Sequence, residues 1–126
     1  MSKNKGFSDT SANRYSLALF ELASESNLLT QVEENSTSIL NLISNNEDFK
    51  NFVKDPTLSR DDLLKTINKI SESLKLEKLF KNFISFLITK RRFFYVELIL
   101  KNFKEICSEK RGELKAEIKS AKELTQ

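Results

Sequence analysis

The stretch that decides the fold reads NRYSLALFELA and spans residues 13–23. When it is placed on a helix at about 100° per residue, its apolar side chains, together with the preceding Ala12, cover an arc of about 260°. The buried stripe of a surface helix is only a little over about 100° wide. The apolar set comprises Ala12, Tyr15, Leu17, Ala18, Leu19, Phe20, Leu22 and Ala23. Such a helix is either central to its bundle or covered on a second side by another molecule.

Glycine and proline are scarce, which indicates helices rather than strands. The 126 residues contain two glycines and one proline, whereas strands and hairpins need such residues at their turns. The length suits one domain with a single core. We therefore predict an all-α fold, a six-helix bundle of short helices in residues 1–111.

Apolar periodicity and capping residues divide this bundle into helices. The predicted helices lie at about residues 9–27, 29–44, 47–54, from 60 onward, 76–90 and 93–110. Asn46 is the expected cap of the third helix, and Asp55-Pro56 ends it because the residue before a proline is disfavoured in the α region. Ser59 and Asp62 resemble the capping box that starts a helix.

The tail after Gly112 follows a different pattern. The stretch ELKAEIKS (residues 113–120) alternates charged residues with Leu114, Ala116 and Ile118, and this period predicts an extended strand. A single strand has no pairing partner in a helical bundle. We therefore expect residues 112–126 to be a linker, disordered or unpaired, that leads into a β-containing domain beyond this chain. A helical tail that happens to alternate is the alternative.

The sequence lacks the usual groups of an enzyme or a metal site. It has no histidine and one cysteine, and no glycine-rich phosphate loop occurs in it. Cys107 lies on the apolar stripe of the sixth helix and is expected to be a core thiol. We predict no catalysis, no cofactor and no metal.

The sequence also shows no pattern typical of a membrane-spanning helix or of a secretory signal. No run of about 18 apolar residues occurs, and the polar N-terminus has no apolar core of a secretory signal. A single cysteine cannot form an internal disulfide. These features favour a reducing, cytoplasmic compartment.

The fifth helix shares the wide apolar arc of the first. Its apolar residues cover about 200° by the same geometry, whereas the main stripe of the sixth helix covers about 120°. The set on the fifth helix is Leu79, Phe80, Phe83, Ile84, Phe86, Leu87 and Ile88. If the surplus is exposed, two neighbouring helices form an apolar groove, whose natural ligand is an amphipathic helix. A central position of the first helix in its own bundle is the alternative.

Charge gives a weaker signal. Twenty-one basic and 18 acidic residues leave a net charge of +3, and only Lys90-Arg91-Arg92 forms a compact basic cluster. This cluster is interpreted as a solvated helix end. The alternative function is a small helical RNA-binding module, in which the cluster contacts phosphates and Phe94 or Tyr95 stacks on bases.

Three stretches, in order, resemble one known family. NRYSLALFELA resembles an opening helix that typically reads A-R-R-Y-A-x-A-L-F-E-L-A, and FVKDPTLSRDDLLKTI (residues 52–67) resembles that family's phenylalanine, Asn/Asp-proline and charged helix. Residues 82–125 resemble its long closing stretch. The family is the N-terminal domain of the ATP synthase δ subunit, the bacterial counterpart of the mitochondrial oligomycin-sensitivity-conferring protein. The family often has Asn-Gly-Arg where this chain has Lys90-Arg91-Arg92, so the turn there is expected to differ.

The resemblance implies a non-catalytic stator part that binds the N-terminal helices of F1 alpha subunits in a groove between helices 1 and 5. The partner-binding residues carried over by position are Tyr15, Ala18, Leu19, Leu22, Phe83, Phe86 and Leu87. Which of them line the groove and which fill the core is left open. The resemblance also implies binding of peripheral-stalk b subunits through a C-terminal domain, and a location at the cytoplasmic face of the bacterial inner membrane. The isolated domain is expected to be a monomer that binds no nucleic acid.

Overall fold

The computed structural model of the chain describes residues 9–124, which form an all-α bundle. The six helices are α1 (Asp9–Glu25), α2 (Leu29–Asn45), α3 (Glu47–Lys54), α4 (Arg60–Leu74), α5 (Lys78–Thr89) and α6 (Val96–Leu124). A short 3₁₀ turn, Phe93–Tyr95, precedes α6. The predicted all-α, six-helix class is confirmed. Among the helices of residues 9–124, none combines the length and the apolar content of a membrane-spanning segment.

The predicted caps start the two helices on either side of Pro56. The side chain of Asn46 accepts a hydrogen bond from the Phe49 N–H at 3.0 Å, and Ser59 Oγ accepts one from the Asp62 N–H at 3.1 Å. Both bonds satisfy a backbone donor that the first helical turn leaves free. These caps fix where α3 and α4 begin.

Three helices end on a residue in the left-handed region. Asn27, Lys75 and Arg91 have φ values of 59°, 55° and 62°. In each case the next residue donates its N–H back to the carbonyl five residues earlier, as Arg92 does to Leu87 at 2.7 Å, which is the Schellman pattern. The turn after α5 therefore takes the backbone form that glycine adopts most easily, with an arginine in that place.

The core is formed mainly where α1 packs along α6, with α2 and α5 closing it. Its largest fully buried side chains include Leu19, Val32, Ile43, Phe80, Ile84, Leu87, Ile99, Leu100 and Phe103. Cys107 is buried as predicted, and burial, with the nearby Glu33 charge, raises the pKa of its thiol to about 11. The protonated thiol, the weakly nucleophilic form, is therefore favoured at neutral pH.

The predicted strand after Gly112 is wrong, because α6 continues without interruption through ELKAEIKS to Leu124. The predicted end of the helix near Lys110 is wrong for the same reason. Glu, Leu, Lys and Ala are strong helix formers, and Leu114 and Ile118 are four residues apart, a spacing that a helical pattern also allows. One glycine costs a helix only about 1 kcal/mol. The domain boundary between residues 111 and 112 stays a prediction.

Candidate partner-binding groove

One side of α1 is closed against the rest of the bundle. Ala12, Ser16, Leu19 and Ala23 lie at intervals of three or four residues and have no exposed surface. Ser16 Oγ reaches the carbonyl oxygens of Ala12 at 2.9 Å and of Ile99 in α6 at 2.6 Å. A contact of this length requires the two helix backbones to approach closely. We call this surface the α1–α6 seam.

The other side of α1 is open. Tyr15, Ala18 and Leu22, also three and four residues apart, face a groove of about 720 Å³ whose far wall is α5. The groove is lined by Tyr15, Ala18, Leu22, Ser26, Leu28, Glu77, Lys78, Leu79, Asn82, Phe83 and Phe86. Leu22 is 48% exposed and Phe86 is 46% exposed. We call this feature the α1–α5 groove.

The two ends of the α1–α5 groove differ in chemistry. At one end the rings of Tyr15 and Phe86 lie with centroids 6.2 Å apart and tilted by 52°, and Lys90 Nζ is 5.7 Å from the centroid of the Phe86 ring. At the other end Glu77 and Lys78, where α5 begins, join the lining. The groove is therefore an apolar channel with an aromatic end and a charged end.

The wall formed by α5 is held in place from behind. The Glu77 N–H, immediately before α5, donates a hydrogen bond of 2.7 Å to Asn35 Oδ1 in α2. Phe83 turns its side chain inward and is only 6% exposed although it lines the groove, while Phe80 and Ile84 are buried in the core. The wall is thus fixed at its start and along its inner face, so the groove exists before any partner binds.

The structure divides the seven sequence-predicted groove residues into two groups. Tyr15, Ala18, Leu22, Phe83 and Phe86 line the α1–α5 groove. Leu19 and Leu87 have no exposed surface and belong to the core, so they do not line it. Both lie inside the wide apolar arcs, and helical periodicity alone does not separate a core position from a groove position.

Sequence reasoning missed several lining residues. The sequence pattern could have predicted Leu79 as a lining residue, because it lies on the apolar arc of α5. Leu28 follows the end of α1, and the left-handed turn at Asn27 folds it back so that its N–H bonds the Ala23 carbonyl at 2.8 Å. A pattern that treats only helical positions does not find such a residue.

The groove offers apolar surface and little reactive chemistry. Its ionisable lining residues are Tyr15, Glu77 and Lys78, and it contains no cysteine and no pair of carboxylates of the kind used in acid–base catalysis. Among the described residues no three potential metal-ligating side chains are grouped together. The arrangement is suited to binding another protein surface.

Comparisons with known proteins agree on one family. The sequence profile described as ATP synthase delta (OSCP) subunit matches residues 12–126. The chain is 63% identical over 126 residues to the ATP synthase subunit delta of Pelagibacter ubique (strain HTCC1062), and it covers 68% of that protein. It is 34% identical over 114 residues, 90% of this chain, to the subunit delta of Chelativorans sp. (strain BNC1), of which it covers 61%.

A solved structure shows the same architecture. A chain in the cryo-EM structure of the Toxoplasma gondii mitochondrial ATP synthase hexamer superposes with a TM-score of 0.70 at 25% sequence identity. The match covers 73% of this chain and 51% of that chain. This chain thus spans about half to two thirds of the length of the proteins that it matches.

Proposed function

This chain belongs to the ATP synthase delta (OSCP) subunit family, and from that membership we propose that it is a non-catalytic stator component of an F1Fo ATP synthase. In this role it holds the F1 head by binding an N-terminal helix of an F1 alpha subunit in the α1–α5 groove. The part does no chemistry, since its task is to resist the torque that the rotor applies to the head.

The observation that carries this proposal is the open apolar groove itself. Two large apolar side chains, Leu22 and Phe86, are almost half exposed on facing helices. Exposed apolar surface concentrated in this way marks an interaction site more often than a solvated face. The groove lies between the first and fifth helices, and these are the two helices for which the sequence predicted excess apolar surface, which supports the proposal.

An amphipathic helix is the partner whose shape fits this groove best. Such a helix presents apolar side chains at i, i+3, i+4 and i+7 along one side, which matches a channel that follows α1 from Tyr15 to Leu22. The small side chain of Ala18 lies between these larger residues and leaves room for one anchor side chain of the partner. Aromatic residues in such a channel are expected to dominate the binding energy.

The remaining contacts of the stator follow from the same family membership. We propose that the b subunits of the peripheral stalk bind in the part of the family's length that this chain does not span. The assembled complex would hold the chain peripherally at the cytoplasmic face of a bacterial inner membrane. The chain by itself would be a monomer.

A titration with a peptide tests the groove. The first 25 or so residues of the cognate alpha subunit are titrated into the wild-type chain and into Leu22→Asp and Phe86→Asp variants by calorimetry. Each substitution buries a carboxylate in the apolar interface, so we expect an affinity loss of at least about 30-fold, which corresponds to about 2 kcal/mol.

Leu17→Asp is the matched control for this titration. Leu17 is on the same helix and is 44% exposed, close to the value for Leu22, but it does not line the groove. Its variant should bind the peptide within about twofold of wild type, well under the tenfold change that 1.4 kcal/mol produces. All variants should keep the helical circular dichroism spectrum. Equal losses for Leu17→Asp and Leu22→Asp, or none for either, would remove the groove assignment.

A further inference from the structure

A second hollow of about 420 Å³ lies where α3, α4, α5 and the 3₁₀ turn meet. It shares no lining residue with the α1–α5 groove. Its lining consists of Val53, Asp55, Pro56, Leu58, Ser59, Arg60, Leu63, Ile88, Arg91, Phe93 and Phe94. We call it the Phe94 hollow. Its floor is mostly apolar, and Phe94 is 44% exposed.

The rim of the Phe94 hollow is positively charged. Arg60 and Arg91 line it, and Lys54 Nζ lies 4.6 Å from the centroid of the Phe94 ring. Within the part of the chain that the structure describes, none of these three cations forms an ion pair with a carboxylate. An apolar floor surrounded by free cations is complementary to a ligand that is both apolar and acidic.

The one carboxylate in the lining, that of Asp55, already accepts hydrogen bonds from a neighbouring residue. Asp55 Oδ1 accepts hydrogen bonds from the Thr57 N–H at 2.9 Å and from Thr57 Oγ1 at 2.6 Å. These two bonds lower the pKa of Asp55, and they hold its side chain to the loop that ends α3. Asp55 therefore does not neutralise the cations of the rim through a direct ion pair.

We infer that the Phe94 hollow is a second docking surface, which binds an acidic peptide segment of a partner protein that carries a large apolar anchor residue. The anchor packs on Phe94 and Leu63, while acidic side chains beside it contact Arg60, Arg91 and Lys54. This inference does not depend on the proposed function of the α1–α5 groove. A nucleic acid fits less well, because phosphate binding uses a continuous basic stripe, and Asp61 and Asp62 follow Arg60 directly.

The test uses synthetic peptides and the whole chain labelled with ¹⁵N. The probe peptide has the sequence Glu-Glu-Leu-Phe-Glu-Glu, and its charge-reversed partner is Lys-Lys-Leu-Phe-Lys-Lys. A short oligouridylate serves as the nucleic-acid probe. Amide shifts are followed at low and at physiological salt. We expect the acidic peptide to shift amides in residues 53–63 and 88–94, and the lysine peptide to bind at least about fivefold more weakly, because like charges repel at close range.

Charge-reversal variants give a matched comparison. Arg91→Glu and Lys75→Glu make the same change in charge at two exposed, left-handed helix ends, so both alter net charge and backbone strain equally. Only Arg91 lines the hollow. Arg91→Glu should weaken the acidic peptide at least about fivefold, and Lys75→Glu less than about twofold, because screening limits charges distant from the site.

Four results would overturn the inference. They are the absence of any saturable shift in the hollow, equal affinity for the lysine peptide, equal losses in the two variants, and tighter, steeply salt-dependent binding of the oligouridylate. The last result would assign the surface to nucleic acid.

Discussion

The α1–α6 seam and the α1–α5 groove are two apolar sides of one helix, and only the seam is closed by the protein itself. The difference lies in the size of the side chains. Three of the four seam residues, Ala12, Ser16 and Ala23, are small and fully buried. They allow α6 to approach until Ser16 Oγ meets the Ile99 carbonyl at 2.6 Å.

On the groove side two large residues, Tyr15 and Leu22, stand on either side of Ala18. The Tyr15 ring meets the Phe86 ring of α5 at a centroid distance of 6.2 Å, and the small Ala18 leaves a notch between the two large residues. Apolar character by itself therefore does not tell whether a helix face is filled from within. The order of large and small residues along the face decides how closely a neighbouring helix can pack.

The largest effect that tests this comparison comes from truncating one leucine on each side of α1. Leu19 is fully buried in the seam and Leu22 is 48% exposed in the groove. Leu19→Ala should lower the free energy of unfolding by about 2–5 kcal/mol, since it leaves a cavity. Leu22→Ala should lower it by less than about 1 kcal/mol, because much of its surface is in water already. Urea unfolding followed by circular dichroism measures both.

Titration with the alpha-subunit peptide gives a second comparison of the Leu19→Ala and Leu22→Ala variants. Leu22→Ala should weaken the alpha-subunit peptide more than Leu19→Ala does at temperatures where both variants are folded. Similar unfolding free energies for the two variants would mean that the two sides of α1 do not differ as described.

The sequence was sufficient to predict that α1 and α5 carry excess apolar surface, but not to assign each residue to the core or to the groove. Leu19 and Leu22 both belong to the wide apolar arc of α1, and Phe86 and Leu87 both belong to that of α5. The assignment depends on where α6 lies across α1, which is a long-range contact between residues such as Ser16 and Ile99 that are far apart in the chain. Periodicity describes one helix at a time and contains no such information.

The predicted strand at residues 113–120 failed for a local reason. An alternating pattern of charged and apolar residues fits a strand, but the residue types there prefer helix. A helix that is already formed propagates more easily than it starts, so α6 extends through this stretch to Leu124. The caps at Asn46 and Ser59 succeeded because a cap depends only on residues within three positions of it.

A smaller effect is expected from the hydroxyl group in the seam. Ser16→Ala removes the single hydroxyl proton that Oγ can donate to the carbonyl of Ala12 or of Ile99, and the net loss should be about 0.5–1.5 kcal/mol in the free energy of unfolding. Alanine also raises helix propensity, which offsets part of this loss. Ser24→Ala, at an exposed position of the same helix, measures that offset separately.

The difference between the two serine variants is therefore the informative quantity. If Ser16→Ala is as stable as Ser24→Ala, the hydroxyl does not contribute to joining α1 to α6, and close packing of Ala12 and Ala23 alone accounts for the seam. Binding of the alpha-subunit peptide should be unchanged in both variants, because neither serine lines the α1–α5 groove.

The smallest expected effect concerns an ion pair at the edge of the closed side, between α2 and α6. The guanidinium of Arg111 donates two hydrogen bonds of 2.8 Å to the two carboxylate oxygens of Glu33. Hydrogen bonding to Arg111, with the charges of Arg111 and Lys104, lowers the pKa of Glu33 below its ordinary value of 4.5. Partial burial of the carboxylate opposes this shift.

A lowered folded-state pKa means that the unfolded chain binds the proton more readily. The stabilisation is therefore complete above about pH 4.5, and it is lost as the pH falls through the lower folded value. Because Arg111 is 55% exposed, the contribution should stay below about 1 kcal/mol and shrink with added salt. Unfolding free energies measured between neutral and acid pH for wild type and Arg111→Gln should converge at low pH. If the difference between them persists there, Arg111 stabilises α6 through its packing on α2 and not through the charge of Glu33.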